Sequence, residues 1–352
     1  MVYVALAVCI IVSFFMTPLV KTLAIRIGAV DQPNDRKVHQ NIMPRLGGLA
    51  IFFTFLLGFL LFLPETMSAW PVLVGGVIIT GVGVLDDLYE LSAKAKLGGQ
   101  LLAATTTVLG GVQIDFVTLP FGMLADRIEF GMFAIPITIL WIVGITNAIN
   151  LIDGLDGLAA GVSAIVILTI SGLGIAMGNP LVALLGFILL GSTLGFLIFN
   201  FHPATLFMGD TGALFLGYMI SVFAVIGLFK NVAIFSLIVP IIILGVPILD
   251  TLFAIIRRFL NNQSLSAPDK LHLHHCLLRL GFSHRQTVIM IYALSSIFST
   301  AAIIFTEATI WGSTMILFGL ILLVELVVEA TGLISDNYRP LLKLMNVRKK
   351  RL

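Results

Sequence analysis

Between two apolar runs lies the stretch Asn147-Ala148-Ile149-Asn150-Leu151-Ile152-Asp153-Gly154-Leu155-Asp156-Gly157-Leu158-Ala159. Two asparagines and two aspartates therefore stand where one predicted membrane-spanning helix ends and the next begins. Ionised side chains at the end of a span need water, a partner or a metal ion. If the segment is helical, Asp153 and Asp156 lie three residues apart on one face, and Asn147 and Asn150 repeat that spacing. Such a face favours a metal–phosphate or sugar ligand; the alternative is a polar turn between two helices.

The composition indicates a membrane protein. Hydrophobic residues make up 59% of the 352 residues, charged residues 11%, and the mean hydropathy is +1.11. Soluble domains carry about 25% charged residues. The formal net charge of +2 gives no reason to expect a nucleic-acid partner. The two cysteines, Cys9 and Cys276, lie in unlike surroundings, so we expect no disulfide.

About eleven apolar segments approach the roughly 20 residues that a helix needs to cross a membrane. The first has neither a basic leader nor a clear cleavage site, so we interpret it as a retained span. The sequence predicts an all-α polytopic membrane protein with one transmembrane domain over 1–352, of which 332–352 form a basic tail. The predicted spans lie near 2–20, 46–63, 71–86, 97–112, 130–147, 158–177, 180–199, 212–229, 231–249, 286–306 and 309–331.

The basic residues predict the side of the membrane on which each loop lies. Of the 20 Lys and Arg residues, all but Arg127 and Lys230 follow odd-numbered spans or belong to the C-terminal tail. Because positive loops stay in the cytoplasm, we predict the N-terminus outside and the C-terminus inside. All six histidines and each acidic motif fall on the predicted cytoplasmic side. We therefore expect the functional site on that face.

Two further acidic segments flank predicted spans. Asp86 and Asp87 are adjacent, and adjacent helical positions point about 100° apart, so one acid is expected to face the site and the other an internal partner. Carboxylates suit Mg²⁺, which binds through a few protein groups and substrate phosphates. Asp210 opens the eighth span. It either caps that helix or adds a third carboxylate to a cavity shared with Asp86 and Asp156.

Basic and histidine-containing segments complete the predicted face. Basic residues in 36–45 suit phosphates or anionic headgroups, although loops of this topology are basic in any case. Amides at a helix start bind anions, which favours Pro44-Arg45-Leu46-Gly47-Gly48 as a phosphate site. The segment His272-Leu273-His274-His275 allows a zinc site, but neither cysteines nor a carboxylate set nearby would complete it. Imidazoles beside Lys270 and Arg279 suit diphosphate oxygens better.

Together these motifs resemble the polyprenyl-phosphate N-acetylhexosamine-1-phosphate transferases. The segments 36–39 and 44–48 look like the branch that uses UDP-GlcNAc, which initiates wall teichoic acid, enterobacterial common antigen and O-antigen; the muramoyl-pentapeptide branch is the alternative. Cys276 stands where the teichoic-acid branch is expected to have Arg, so the pathway stays open. The resemblance runs from Arg36 to about Gln286 and rests on Asp86-Asp87, on Asn147 through Ala159, on Phe207-Met208-Gly209-Asp210-Thr211-Gly212 and on His272-Leu273-His274-His275.

The resemblance implies transfer of GlcNAc-1-phosphate from UDP-GlcNAc to undecaprenyl phosphate, with release of UMP and with Mg²⁺ or Mn²⁺ as cofactor. It implies four catalytic acids, Asp86, Asp87, Asp156 and Asp210, and a metal held by Asp210, Asn150 and Asp86. The implied site lies on the cytoplasmic face of a bacterial plasma membrane, among membrane lipid, and a homodimer is left open. The implied substrate-binding residues are Arg45, Lys96, Asn147, Asn150, Asp153, Asn200, Phe207, His272, His274 and His275.

Two other function classes are weighed against this transferase. A transporter binds its substrate near the bilayer centre and often shows internal repeats, whereas the acids here stand at span ends and no repeat is visible. A catalytically silent scaffold with the same fold would have no need to retain every acidic motif. Both alternatives predict no release of UMP.

Overall fold

The computed structural model describes residues 1–31, 43–64, 67, 69–118, 127–229, 238–260, 271–334 and 338–344. Within these ranges helices dominate, so the predicted all-α class is confirmed. Two short antiparallel pairs are the exceptions: β1 (Val30–Asp31) with β2 (Met43–Pro44), and β3 (Phe116–Thr118) with β4 (Arg127–Glu129). The basic segment 36–39 lies outside the described residues.

Fourteen α-helices follow one another through the described residues. Most begin and end within a few residues of the predicted spans, because long apolar runs leave only a helix to satisfy the backbone. They are α1 (Val2–Ile27), α2 (Gly47–Phe62), α3 (Trp70–Tyr89), α4 (Ala93–Leu109), α5 (Ala134–Leu151), α6 (Leu158–Ala176), α7 (Pro180–Asn200), α8 (Gly209–Ala224), α9 (Ile238–Ile243), α10 (Gly245–Leu260), α11 (Leu273–Arg279), α12 (His284–Glu307), α13 (Ile310–Thr331) and α14 (Pro340–Leu344).

Eight of the described helices are long and apolar enough to cross a membrane, namely α1, α3, α5, α6, α7, α8, α12 and α13, with their flanking turns. Helix α2 is apolar but has 16 residues. The bounds predicted for the ninth span, 231–249, are wrong. The described chain forms α9 and α10 there, and α10 continues to Leu260. The count of eleven, the orientation and the single domain with its basic tail stay predictions.

Helix α8 is the centre of the bundle, since every residue from Thr211 to Ala224 is buried. Helices α2, α3, α5 and α6 pack around it. The start of α2 comes closest: a Cβ on Gly48 would lie 2.0 Å from the Gly212 amide nitrogen. Only glycine allows that approach. The glycine pair after Arg45 therefore joins two helix starts.

The predicted anion site at the start of α2 is wrong in its chemistry. The Gly47 amide donates to the Phe207 carbonyl at 2.9 Å, and the Gly48 amide donates to the Met208 carbonyl at 2.8 Å. Both amides are thus used within the protein and do not point to a ligand. Their role is to fasten α2 to the segment that leads into α8.

The polar helix ends meet at one end of the bundle. The C-terminal ends of α3, α5 and α7 and the N-terminal ends of α4, α8 and α12 are joined there by hydrogen bonds, ion pairs and ring stacking. Residues far apart in the sequence therefore line a single region. This region contains the acidic and histidine motifs.

Candidate active site

Lys96, in the first turn of α4, links two of the predicted catalytic acids. Its Nζ donates to Asp86 Oδ2 at 2.9 Å and to Asp210 Oδ2 at 2.7 Å. Asp86 lies in the last turn of α3 and also accepts the Leu91 amide at 2.8 Å, which fixes its carboxylate. Asp210 stands at the start of α8 and keeps a fifth of its side chain exposed. The lysine brings two carboxylates together that would otherwise repel each other.

Asp87 has a different partner, as expected for adjacent helical positions. Its Oδ1 accepts the Asp210 amide at 3.0 Å, and its Oδ2 accepts both the amide and the hydroxyl of Thr211 at 3.0 and 2.6 Å. Arg45 Nε lies 3.5 Å from Oδ1. The interpretation of Asp210 as the cap of α8 is therefore wrong. The cap is supplied by Asp87 from α3, which frees the Asp210 carboxylate for the site.

The stretch from Asn147 to Ala159 is only partly helical. Helix α5 ends at Leu151, and a turn follows in which Gly157 has φ 75°. The expectation that Asp153 and Asp156 share a helical face is wrong, because both belong to this turn. Asn150, still on α5, lies within hydrogen-bonding reach of Asp210.

Asp153 is a half-buried carboxylate of this turn. Burial, followed by the negative charges of Asp210, Asp87 and Asp156, raises its pKa to about 8, against a lowering contribution from Arg45. The site thus gathers more negative charge than its own cations neutralise. Carboxylate oxygens in such surplus are the donors that Mg²⁺ and Mn²⁺ prefer. The carboxylates of Asp86 and Asp210, joined by Lys96, and that of Asp153 therefore offer the donor chemistry that suits a hard divalent cation.

Asp156 pairs with His202, on which His284 stacks, and neither histidine was among the predicted site residues. Its Oδ2 accepts from His202 Nδ1 at 2.8 Å and from the Ala204 amide at 3.1 Å. The His284 ring stacks on His202 with centroids 4.2 Å apart. One atom from each of Asp156, His202 and His284 lies within 4.8 Å of the others. The pairing fixes one carboxylate oxygen of Asp156.

The predicted asparagines divide between scaffold and site. Asn147 exchanges two hydrogen bonds with Gln100 of α4, at 2.7 and 3.2 Å. Asn200, at the end of α7, accepts the Gly157 amide at 3.1 Å and donates to the Leu206 carbonyl at 3.0 Å. Both therefore hold neighbouring segments in place. Asn150 is the one of the three beside the acidic cluster.

Phe207 and Arg45 are brought close together by a backbone hydrogen bond just before α2. The Phe207 amide donates to the Pro44 carbonyl at 2.9 Å, and the Phe207 ring is half-buried. Arg45 spans Asp31 at 3.4 Å and Asp87 at 3.5 Å. Arg45 is thus engaged with carboxylates, and it lies close enough to Asp153 to affect that residue's pKa.

The histidine segment is anchored by Asp250, an acid of α10 that is not among the predicted site residues. His272 Nδ1 lies 2.8 Å from Asp250 Oδ2. His274 is buried, and burial, followed by the charge of His275, lowers its pKa to about 3. The His274 ring occupies the space where a Cβ of Gly154 would lie. His274 therefore brings a neutral imidazole to the turn that contains Gly154. An acid inside a largely apolar run was the signal for Asp250.

An apolar cavity of about 530 Å³ opens between α5 and α10. Its walls include Leu140, Gly144 and Ala148 of α5 and Ile248 and Leu252 of α10. Further along α5, Asn150 stands beside the acidic cluster. A long apolar chain lying in this groove would thus end near the carboxylates.

Comparison with known proteins identifies a family and several relatives. A family model described as glycosyl transferase family 4 matches residues 69–228. The probable undecaprenyl-phosphate N-acetylglucosaminyl 1-phosphate transferase of Bacillus subtilis is 52% identical over 343 residues, 97% of this chain and 95% of the relative. The decaprenyl-phosphate N-acetylglucosaminephosphotransferase of Mycobacterium leprae is 38% identical over 87% of this chain and 84% of its own.

A more distant relative comes from the other branch. The phospho-N-acetylmuramoyl-pentapeptide-transferase of Halalkalibacterium halodurans is 33% identical over 85% of this chain and 96% of its own. The match to the Bacillus subtilis relative extends over nearly the whole chain, and the residues matched by the family model include the motifs at 86–87, 147–159 and 207–212. The resemblance drawn from the sequence is confirmed: the chain belongs to the polyprenyl-phosphate N-acetylhexosamine-1-phosphate transferase superfamily, and it is an integral membrane enzyme.

Proposed function

We propose that the protein transfers GlcNAc-1-phosphate from UDP-GlcNAc to undecaprenyl phosphate, giving undecaprenyl-diphosphate-GlcNAc and UMP. One observation carries the proposal: helix α5 lines an apolar groove as far as Ala148 and, two residues on, carries Asn150 beside Asp210, one of the carboxylates joined by Lys96. A site for charged phosphates beside a site for a long hydrocarbon is what this reaction requires. The relative at 52% identity supports the same donor and acceptor.

The reaction needs no net proton transfer when the acceptor phosphate is a dianion. An oxygen of the lipid phosphate forms a bond to the β-phosphorus of UDP-GlcNAc. The bond between that phosphorus and the bridging oxygen breaks, and UMP leaves with the oxygen. A phosphomonoester has its second pKa near 6, so the dianion prevails at neutral pH. The residues must therefore position and neutralise charge, which is the main demand of phosphoryl transfer.

The acidic cluster is the proposed place of Mg²⁺ or Mn²⁺. Asp210, Asn150 and Asp86 would hold the cation, with Asp153 beside them. When bound, the cation supplies neutralisation of the diphosphate and of the leaving phosphate. Lys96 keeps Asp86 and Asp210 in a fixed relation and adds a positive charge at the same point.

The remaining residues are proposed to hold the donor. Asp156 keeps one oxygen free of His202 and faces the segment that carries Phe207, whose ring is half-exposed for stacking on a base. The neutral His274 and its neighbour His275 would donate hydrogen bonds to the phosphates, since a neutral imidazole carries one N–H. The nucleotide would thus lie at the turn that contains Asp153 and Asp156, and the diphosphate in the space between this turn and the histidine segment.

The groove between α5 and α10 is proposed to hold the lipid acceptor. Its lining is almost wholly apolar, which suits a long hydrocarbon chain. We place the enzyme in a bacterial plasma membrane with the site on the cytoplasmic face, and its product at the first membrane step of an envelope glycan. A homodimer stays a prediction.

Release of UMP from purified enzyme tests the proposal. We expect UMP from UDP-GlcNAc when undecaprenyl phosphate and Mg²⁺ are both present, and little from the UDP-muramoyl pentapeptide. The reverse donor preference would assign the protein to the muramoyl-pentapeptide branch. UMP release that does not require the lipid phosphate, or no release at all, would contradict the transferase and favour the transporter or the silent scaffold.

A further inference from the structure

Asp250 is a buried carboxylate in α10 that the reaction outlined above does not use. It is 3% exposed and lies in an otherwise apolar stretch of that helix. A carboxylate in such surroundings is costly unless its oxygens are satisfied by hydrogen bonds. Asp250 satisfies both of its oxygens with one segment, the start of α11.

The two bonds of Asp250 hold α11 at its first residues. Oδ2 binds His272 Nδ1 at 2.8 Å, and Oδ1 accepts the Leu273 amide at 2.8 Å. His272 is the N-cap residue of α11 and makes no side-chain cap bond of its own. The cap comes instead from α10. One carboxylate thus fixes both the ring of His272 and the position of the helix.

The same two bonds determine where the next histidine lies. The His272 and His274 rings are nearly parallel, 4° apart with centroids at 6.0 Å. His274 reaches the turn at Gly154, and its Nε2 has no hydrogen-bond partner among the described residues. A buried nitrogen without a partner is unusual. Its place beside the turn makes it available to a ligand oxygen.

We propose that Asp250 is a positioning residue of the transferase reaction, which acts through His272 to hold the histidine segment against the Asp153–Asp156 turn. This inference rests on the proposed function. A carboxylate can only accept, so His272 must carry a proton on Nδ1, and a neutral ring then has its lone pair on Nε2. Asp250 therefore sets the tautomer of His272 as well as the register of α11.

Helix α10, which carries Asp250, also lines the apolar groove. Ile248, Thr251 and Leu252, which flank Asp250 in sequence, line the apolar groove. The helix that would touch the lipid acceptor is thus the helix that holds the histidine segment. A displacement of α10 would move both together, which keeps acceptor and donor groups in one frame.

The variant Asp250→Asn tests the proposal with little change of shape. The amide oxygen can still accept from Leu273, while the amide nitrogen must donate to His272 Nδ1 and so moves the ring proton to Nε2. We expect kcat of UMP release to fall by about 10²-fold, the order of loss that a small misplacement of a reacting group causes, with a smaller change in KM for UDP-GlcNAc. The double variant Asp250→Asn with His272→Gln should lose no more than His272→Gln alone, because both act through one contact.

Glu329→Gln is the matched control. Glu329 of α13 is also a fully buried carboxylate, and it accepts the amides of Leu341 and Leu342 at 2.7 Å each, but no histidine. It should lower Tm and leave kcat near that of the wild type. If Asp250→Asn does not accumulate in membranes, Asp250→Glu replaces it, with the same expected loss of kcat at a retained charge.

Three results would overturn the proposal. The first is a folded Asp250 variant with the kcat and KM of the wild type. The second is a double variant whose loss of kcat equals the product of the losses in the Asp250 and His272 single variants. The third is failure of both Asp250 variants to fold, since the carboxylate would then serve stability alone. A wild-type enzyme that releases no UMP is a separate outcome, which would contradict the proposed function itself.

Discussion

Asp87 of α3 binds Thr211 of α8 twice, through the backbone amide at 3.0 Å and the hydroxyl at 2.6 Å. The Asp87 side chain is fully buried. Asp87, although it belongs to one of the acidic motifs, thus caps the N-terminus of α8. This separates the two adjacent acids: Asp86 belongs to the lysine-linked pair, and Asp87 holds the frame in which Asp210 is presented.

The first prediction concerns Asp87→Asn. All three hydrogen bonds to this carboxylate come from donors, so an amide nitrogen facing either side leaves at least one donor without an acceptor. We expect a loss of about 1–3 kcal/mol in the free energy of unfolding, seen as a lower Tm in detergent. The control is Asp115→Asn, at an exposed position, which should leave Tm unchanged. Equal Tm values for the two variants would contradict the capping role.

The second prediction concerns Asp210→Asn. Asp210 does not cap α8, so the change should leave Tm near that of the wild type. It removes one negative charge from the proposed metal site and weakens the bond to Lys96, which now spans 2.7 Å. We expect kcat to fall by about 10²–10³-fold, the usual loss when one electrostatic group of an active site is removed. Near-normal turnover at low Mg²⁺ would transfer the metal role to Asp86 or Asp153.

The helices, the active end of the bundle and the different partners of Asp86 and Asp87 could be predicted from the sequence, because each depends on local periodicity. The Asp250–His272 and Asp156–His202 pairs could not. Their members lie 22 and 46 residues apart, and no local pattern reports which helix end meets which. The prediction that Asp210 caps α8 failed for the same reason, because the cap comes from Asp87, 123 positions earlier.

The third prediction concerns the pH dependence of stability without divalent cation. The pKa of Asp153 is about 8 in the folded chain and about 3.9 when unfolded. The folded state therefore holds the proton more tightly, and its stabilising contribution is full below pH 4 and lost as pH rises through 8. His274, with its pKa of about 3, is neutral in the folded state, whereas the unfolded imidazole loses its proton around pH 6.5. Its contribution therefore rises with pH near 6.5 and adds little slope above about pH 7.5.

Melting curves between pH 6.5 and 9 measure this effect. We expect the Tm of the cation-free protein to fall towards pH 8 and to level off above it, and Asp153→Asn to reduce the fall. Adding Mg²⁺ should raise Tm most at the alkaline end, where the carboxylate is ionised and binds the cation best. A Tm that is independent of pH in the cation-free wild type, or unchanged in slope by Asp153→Asn, would contradict the charge surplus at the turn.

The fourth prediction concerns orientation. The charge asymmetry of the loops predicts that residue 90, the segment 261–284 and the C-terminus lie in the cytoplasm, and that residue 120 lies outside. Reporter fusions at these positions should show alternate activity of a cytoplasmic and an external reporter. A cytoplasmic residue 120 would contradict the predicted topology, because the loop charges predict that the segment between α4 and α5 lies outside.

The last prediction concerns the groove proposed for the lipid. A Cβ on Gly144 would meet nothing within 4 Å, and Gly144 faces the cavity between α5 and α10. Gly144→Leu should therefore fold and place its side chain where the hydrocarbon lies. We expect a higher KM for undecaprenyl phosphate with an unchanged KM for UDP-GlcNAc, since the donor site contains no part of the groove. Gly172→Leu is the matched control, because Gly172 is an equally open glycine in α6 and does not line the groove. If both variants showed the same acceptor KM as the wild type, the lipid would lie elsewhere on the protein.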